Sequence, residues 1–444
     1  MTPRHATRAT PAWSREDART VARSDDTVAP VVYPPPVETS PDHHVWDTWL
    51  LRERDGSVAT PGGYRVIFCL SAPATLLPGK RHDVATIRYF YSQNGTDWTC
   101  GGVAVDPAEA FGSRQWAGSA LLDDDGTVYC YYTAAGERGE SDLSYTQRLA
   151  CASGGHVEVS DAGPTLRGPW DHEVLLEPDG TRYETETQSR GMIYTFRDPW
   201  FFEDPADGET YLLFEANTPV PEGSDACGGD PDLQSFNGSV GVARSSTGDP
   251  TDWELREPLL DAVGVNQELE RPHVVVADGR YYLFVSSHVH TFAPGLTGYD
   301  GLYGFVADDL FGDYRPLNGS GLVLTNPANA PFQAYSWLTY AHRDELLVTS
   351  FVNYCDFDRP SLDDVALLSE AEQIRRFGGT LAPTVRLGYD GDRTWVRGTL
   401  SHGHLPTEDE DLSPTLDERL VERRQDGRAA GRDTGHPYRV PGPY

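Results

Sequence analysis

FRDPWFFEDPADGETYLLFEANT, residues 196–218, reads as two aromatic-rich strands facing each other across an Asp207-Gly208 turn. Asp-Gly supplies the positive φ that a tight hairpin turn needs, and the Trp, Phe, Tyr and Leu of the flanking runs suit a half-buried pleated surface. Two charged residues, Arg197 and Asp198, stand at the head of the first run. Working outward, the question is whether the chain repeats this design.

It does so four more times, as VWDTWLLRERDGSVATPGGYRVIFCLSA (45–72), WAGSALLDDDGTVYCYYTA (116–134), ERPHVVVADGRYYLFVSSH (270–288) and YSWLTYAHRDELLVTSFVN (335–353). Four of the five copies turn at Asp-Gly, and the last turns at Arg343-Asp344-Glu345. A second, weaker hairpin follows each copy: IRYFYSQNGTDW, QRLACASGGHVEV, GSVGVARSSTGDPTDW, LYGFVADDLFGDY and TVRLGYDGDRTW. Two hairpins make a four-stranded unit, and heads near Trp46, Trp116, Arg197, Arg271 and Tyr335 set a period of about 65–80 residues. Radial packing of such sheets predicts an all-β fold, a five-bladed β-propeller with four-stranded antiparallel blades around a central funnel-shaped pocket. An irregular β-sandwich or two stacked β domains is the competing architecture, and the evenness of the repeat argues against it.

The repeats occupy a predicted propeller domain over 31–404. Ahead of it, 1–30 reads as an N-terminal arm with a short helix over 12–24, capped by Ser14 with Asp17 near its start. Beyond it, 405–444 turns polar, with one short helix expected at LDERLVERR, and reads as a flexible tail.

The chain carries 68 acidic against 36 basic residues, a net charge of −32, and a single lysine, Lys80. Such a field repels phosphate backbones and anionic bilayers, so nucleic acid and membrane are set aside as partners and a small neutral substrate is favoured. Acidity spread along folded sequence, with lysine almost absent, points to a surface adapted to high salt and a halophilic host. No stretch of 18 apolar residues is present, and the N-terminus lacks the apolar core of a secretory signal. The six cysteines (Cys69, Cys100, Cys130, Cys151, Cys227, Cys355) form no C-x-x-C pair, so no zinc site is expected; they read as buried free thiols, with one disulfide left open.

In a propeller the first strand of every blade lines the central channel, so strand heads converge. The heads here supply Asp47, then Asp198 with Arg197, then Glu268, Glu270 and Arg271. Acids embedded among Trp46, Trp49, Phe196 and Trp200 need a partner or a task, because burying a charge costs free energy. Paired carboxylates are what glycosidic bond cleavage requires: a nucleophile, and a protonated acid for the leaving oxygen. Three acids in one pocket cannot all ionise cheaply, so one proton is expected to stay, and we place it on Glu270.

Five motifs in order, VWDTW (45–49), QWAGSA (115–120), FRDP (196–199), LLFEANT (212–218) and ELERPH (268–273), carry a resemblance to family 68 of the glycoside hydrolases, the levansucrases, inulosucrases and related β-fructofuranosidases. The resemblance runs from about Ala12 to Leu400 and implies a five-bladed propeller. It further implies that Asp47 is the nucleophile, Asp198 the transition-state stabiliser and Glu270 the general acid/base, with Trp46, Trp116, Arg197, Glu215, Glu268 and Arg271 holding sucrose and His288 on the acceptor side. Two positions depart from the family pattern. Ala117 stands where a serine usually supports the nucleophile, and period-two alternation keeps Ser119 one rung away. Gln267 stands where calcium-binding members have aspartate, which disfavours structural calcium.

The expected activity is therefore a retaining fructansucrase that passes the fructosyl unit of sucrose to a growing levan- or inulin-type fructan or to water, with no cofactor. The alternatives are an invertase-like β-fructofuranosidase, an arabinan-type propeller hydrolase, which the VWDTW and ELERPH strings disfavour, and a non-catalytic sugar-binding propeller. The expected partners are sucrose and sugar acceptors, with a monomer favoured. Polymer synthesis implies an extracellular location, but no signal peptide is visible, and a cytoplasmic location stays open.

Overall fold

Each of the five turns closes a hairpin in the computed structural model of the protein, which describes residues 10–35, 38–359, 361–407, 410 and 412. The hairpins are His43–Arg52 with Arg65–Pro73, Arg114–Leu122 with Val128–Ala135, Phe196–Glu203 with Thr210–Asn217, Glu270–Ala277 with Arg280–Ser287, and Ala334–His342 with Glu345–Tyr354. Outer strands extend each hairpin into an antiparallel meander of four, and four of the meanders gain a further short strand. The first strands stand side by side in cyclic order, the fifth returning to the first. This closure removes open sheet edges from the centre of the propeller.

The aromatic residues of the repeat fill the space between meanders. Tyr131 of the second stacks on Phe201 of the third with ring centroids 6.0 Å apart, and Phe196, Phe214 and Tyr183 interlock behind them at 4.9–6.2 Å. Each such side chain, fully buried, contributes about 1.5–3 kcal/mol. The N-terminal arm joins this core through Trp13, which packs on Phe292, Tyr303 and Phe305 and donates from Nε1 to Ser320 O.

One irregularity recurs in every inner hairpin. The register slips between Trp46 and Thr48, between Trp116 and Gly118, between Arg197 and Trp200, between Glu270 and His273, and between Tyr335 and Leu338. These are β-bulges at a common height, leaving Asp47, Ala117, Asp198, Arg271 and Ser336 out of the ladder. Asp47, Asp198, Arg271 and Ser336 have φ of +35°, +61°, +52° and +58°, a region that non-glycine residues rarely enter.

Two expectations need correction. Among the described residues of the arm only Arg15–Ala18 is helical: Ser14 does cap it, accepting from Asp17 N–H, but the chain beyond is drawn out along the sheets, with Ala29 N–H donating to Thr325 O. QRLACASGGHVEV does not turn. It lies within one strand, Gln147–Ser160, in which Gly154 at φ +85° absorbs a register slip and Gly155 lets the Trp170 ring lie against the backbone. The helix expected at LDERLVERR lies outside the described residues.

Gly118 follows the second bulge, where a Cβ would overlap the Tyr131 carbonyl, whereas a Cβ on Gly79 would meet nothing within 4 Å. Gly118→Ala is therefore expected to cost about 1–3 kcal/mol of stability in denaturant unfolding, as overpacking does, with Gly79→Ala near neutral. Equal stability of the two variants would contradict the tight bulge packing.

Candidate active site

The bulges arrange the inner strands in two tiers. The residues just before each bulge, Trp46, Trp116, Arg197, Glu270 and Tyr335, form one; the bulged residues Asp47, Ala117, Asp198, Arg271 and Ser336 form the other. Glu270 thus stands one residue earlier in the repeat than Asp47 and Asp198, and Arg271 takes the equivalent bulged position. The expectation of three acids at equivalent strand heads is corrected to two in one tier and one in the other.

The bulged tier is cross-braced. Asp198, 6 % exposed, accepts at Oδ2 from Arg271 N–H at 3.0 Å, and its own N–H donates to Thr133 Oγ1 at 2.9 Å. Thr133 in turn donates to Ala117 O at 3.0 Å, linking the second and third meanders. The Arg271 guanidinium reaches Ser336 Oγ at 2.8 Å and Thr48 O at 2.7 Å, and Ser336 bonds the Asp47 carboxylate. Burial pushes the Asp198 carboxyl up to about 6 against the pull of Arg197, and raises Asp47 in the same direction against the pull of Arg271. His273 supports the tier from below. Thr339 N–H donates to its Nε2, so the proton sits on Nδ1 and bonds Arg271 O, and burial holds this ring neutral with a pKa of about 3.

In the other tier Arg197 is the hub. Its Nε donates to Glu215 at 2.7 Å, and its Nη2 reaches Glu268 at 2.9 Å and Glu270 at 3.1 Å. Burial opposes the cation, but Glu215, Glu270 and Glu268 outweigh it and hold the guanidinium charged. Burial also raises the carboxyls of Glu215 and Glu268. Glu268 Oε2 is buried with no protein partner, an acceptor left for a ligand hydroxyl. Glu270 Oε2 accepts from the Tyr335 hydroxyl, and His288 Nε2 lies 3.9 Å from it.

All ten residues singled out from the sequence therefore converge, with Trp46 and Trp116 tied in through the connection that carries Arg81 and His82. Between those two rings lies His82, edge-on to Trp46 at 5.4 Å and to Trp116 at 6.2 Å, with the Arg81 guanidinium 5.6 Å from the Trp46 ring centroid. Sequence reasoning missed Arg81 and His82, which come from a connection with no repeat signal. It also missed Ser336 and Tyr335 as site groups, although they head the fifth copy and alignment of the repeats would have found them.

Ser119 does not substitute for the hydroxyl lacking at Ala117: its Oγ accepts from Phe201 N–H at 3.1 Å. Gln267 is likewise engaged, donating from Nε2 to Ile193 O at 2.8 Å and accepting at Oε1 from Met192 N–H at 3.1 Å. That position uses both a donor and an acceptor, which a carboxylate cannot supply. Gln267 is a neutral amide bonded to two backbone groups, not the hard anionic ligand that calcium favours.

The levansucrase/invertase family model matches residues 2–406. A levansucrase of Pseudomonas savastanoi pv. glycinea is 38 % identical over 430 residues, covering 89 % of this chain and 96 % of the relative. An inulosucrase of the halophilic archaeon Halalkalicoccus jeotgali, solved with kestose, is 66 % identical with a TM-score of 0.90 and covers 91 % of this chain and 100 % of that one. The β-fructofuranosidase catalytic domain of Microbacterium saccharophilum superposes with a TM-score of 0.77 at 31 % identity, covering 90 % and 94 %. With these matches spanning nearly the whole propeller, the chain belongs to the levansucrase/invertase family, family 68 of the glycoside hydrolases.

Proposed function

We propose that the protein is a retaining fructosyltransferase acting on sucrose, with Asp47, Asp198 and Glu270 as its working carboxylates. The observation that carries this reading is the two-tier arrangement, which puts Asp47 and Asp198 in one tier, each within electrostatic reach of the other, and in the next a Glu270 held by Arg197 and Tyr335. Family membership supports it, as do the sugar-active relatives.

In the first half-reaction an Asp47 oxygen attacks the anomeric carbon of the fructosyl unit, the bond to the glucosyl oxygen breaks, and Glu270 passes its proton to that oxygen. Asp198 lies beside the carbon as positive charge develops on it. In the second half-reaction Glu270 takes the proton of an incoming hydroxyl, whose oxygen attacks the same carbon and releases the Asp47 carboxylate. Arg197, Glu268 and Arg271 bind sugar hydroxyls, with the free Glu268 Oε2 as the acceptor in place to do so, while the fully buried Glu215 acts through Arg197, which it holds. No step uses a metal or a cofactor.

The acceptor decides the product: a sugar gives a levan- or inulin-type fructan, and water gives hydrolysis. Incubation with sucrose in high salt, with glucose and fructose followed separately, is expected to release glucose in excess of fructose. Asp47→Ala should lower glucose release about 10⁴-fold or more, and Glu270→Gln about 10²–10⁴-fold. Equal glucose and fructose would make the protein a hydrolase, and no glucose at all would leave a sugar-binding propeller.

Asp198 must be ionised to stabilise a cation, and its raised pKa places the loss of that charge near pH 6. The ratio kcat/KM for sucrose is expected to fall as pH drops through about 6; a profile flat down to pH 4, on the order of the ordinary Asp pKa, would oppose this role.

Ala117→Ser restores a hydroxyl within the bulged tier at a site 2 % exposed. One added hydrogen bond of about 1 kcal/mol predicts a rise in kcat/KM of about fivefold. An unchanged value would mean that the Ser336 contact to Asp47 already suffices.

A further inference from the structure

Asp300 stands just ahead of the strand Gly301–Ala307, in the connection that also carries His288. Its carboxylate is buried, with 1 % side-chain exposure, and both oxygens are engaged: Oδ1 accepts from Val289 N–H at 2.9 Å and Oδ2 meets His288 Nδ1 at 3.1 Å. A carboxylate only accepts, so Nδ1 carries a proton and the ring is turned to bring Nε2 towards Glu270 Oε2, 3.9 Å away. The imidazole lies flat on Tyr335, centroids 3.7 Å apart and planes 13° apart, and Tyr335 donates to that same oxygen.

The charged and titratable groups facing His288 come from several elements: Asp300 and His290 from its own connection, Glu268 and Glu270 from the fourth inner strand and its approach, Tyr335 from the fifth, and His82 from the connection after the second strand of the first meander. Burial opposes protonation of His288, but Asp300, Glu270 and Glu268 outweigh it and raise its pKa to about 9. His288 is therefore a cation at neutral pH. It and Glu270 are each 19 % exposed at the side chain, against 4 % for Glu268 and none for Glu215, so the pair faces the open side from which glucose departs and an acceptor arrives.

The geometry points to Asp300 as a positioning residue for the transfer half-reaction: it aims the His288 Nε2–H so that a sugar acceptor is gripped at two hydroxyls, one by Glu270 and a neighbouring one by His288. This rests on the fructosyl-transfer reading above. Water offers a single oxygen and gains from one grip only, whereas a sugar gains from both, so the pair raises the ratio of transfer to hydrolysis. Asp300 touches no substrate and acts only through His288.

The test uses the full chain with sucrose and compares wild type, Asp300→Asn, His288→Gln and the double variant, each first shown to be folded by thermal unfolding. Asp300→Asn is expected to lower the ratio of transfer to hydrolysis about tenfold while total glucose release falls about threefold, and to add nothing in the His288→Gln background. An unchanged ratio in Asp300→Asn, or the same drop in both backgrounds, would overturn the proposal. Should Asp300→Asn fail to fold, the wild-type ratio decides: it is expected to hold to pH 8 and to fall as pH rises through about 9, and a flat ratio to pH 10.5, beyond the span of an ordinary or raised His pKa on the order of 6.5–9, overturns the proposal. A wild type that releases no glucose overturns the fructosyl reading itself, whereas an active wild type with an insensitive ratio overturns only the role of Asp300.

Discussion

The β-bulge repeated at the head of every inner hairpin is the constraint on which the rest depends. A regular strand alternates its side chains, so neighbours such as Trp46 and Asp47 would point to opposite faces. The bulge adds a residue that the ladder does not pair, and both members of each couple turn towards the centre. Holding Asp47, Asp198, Arg271 and Ser336 at positive φ costs on the order of 1–3 kcal/mol each. The Arg271 N–H to Asp198 and the Asp198 N–H to Thr133 offset that strain with hydrogen bonds of comparable size, one of them to a carboxylate. The strain persists because neighbouring meanders brace one another at the same height.

Charge is managed by the same geometry. Glu215, Glu268 and Glu270 converge on the single guanidinium of Arg197, while Asp47 and Asp198 share the influence of Arg271. Five carboxylates against three arginines, the third being Arg81 near Asp47 and Glu270, leave a local deficit of positive charge. Burial answers it by lifting the pKa of Asp47, Asp198, Glu215 and Glu268, and His288 answers it by staying protonated. A site so poor in cations attracts a developing oxocarbenium ion.

Much of this was legible in the sequence because each inner hairpin announces itself: two aromatic runs, a turn dipeptide between them, and charge at the head. Convergence of the heads then followed from the propeller. The two tiers were not legible. An extra residue in one strand leaves no mark in a single copy; the reading of Ser119 assumed unbroken alternation, and that of Glu270 assumed that all three acids head their strands at equivalent positions. Gln147–Ser160 was misread for a related reason, since Ser153-Gly154-Gly155 has turn composition, yet the Trp170 ring and the paired strand hold it extended. The connections that bring Arg81, His82 and Asp300 into place carry no period at all, and their roles arise only from packing against the heads.

Ala117 shows how the fivefold plan and the chemistry part company. Its four counterparts in the bulged tier all carry polar side chains that bond across to a neighbour, and Ala117 contributes only its carbonyl, to Thr133. That carbonyl is nevertheless structural in the same sense, because Thr133 passes the contact on to Asp198 N–H. Ser336, opposite in the ring, bonds Asp47 and Arg271 together. Asp47 is thus held from the fourth and fifth meanders while the second steadies Asp198. The tier keeps both carboxylates fixed with a hydroxyl on one side only, which leaves the flank of Asp47 nearest Trp116 the least constrained part of the site.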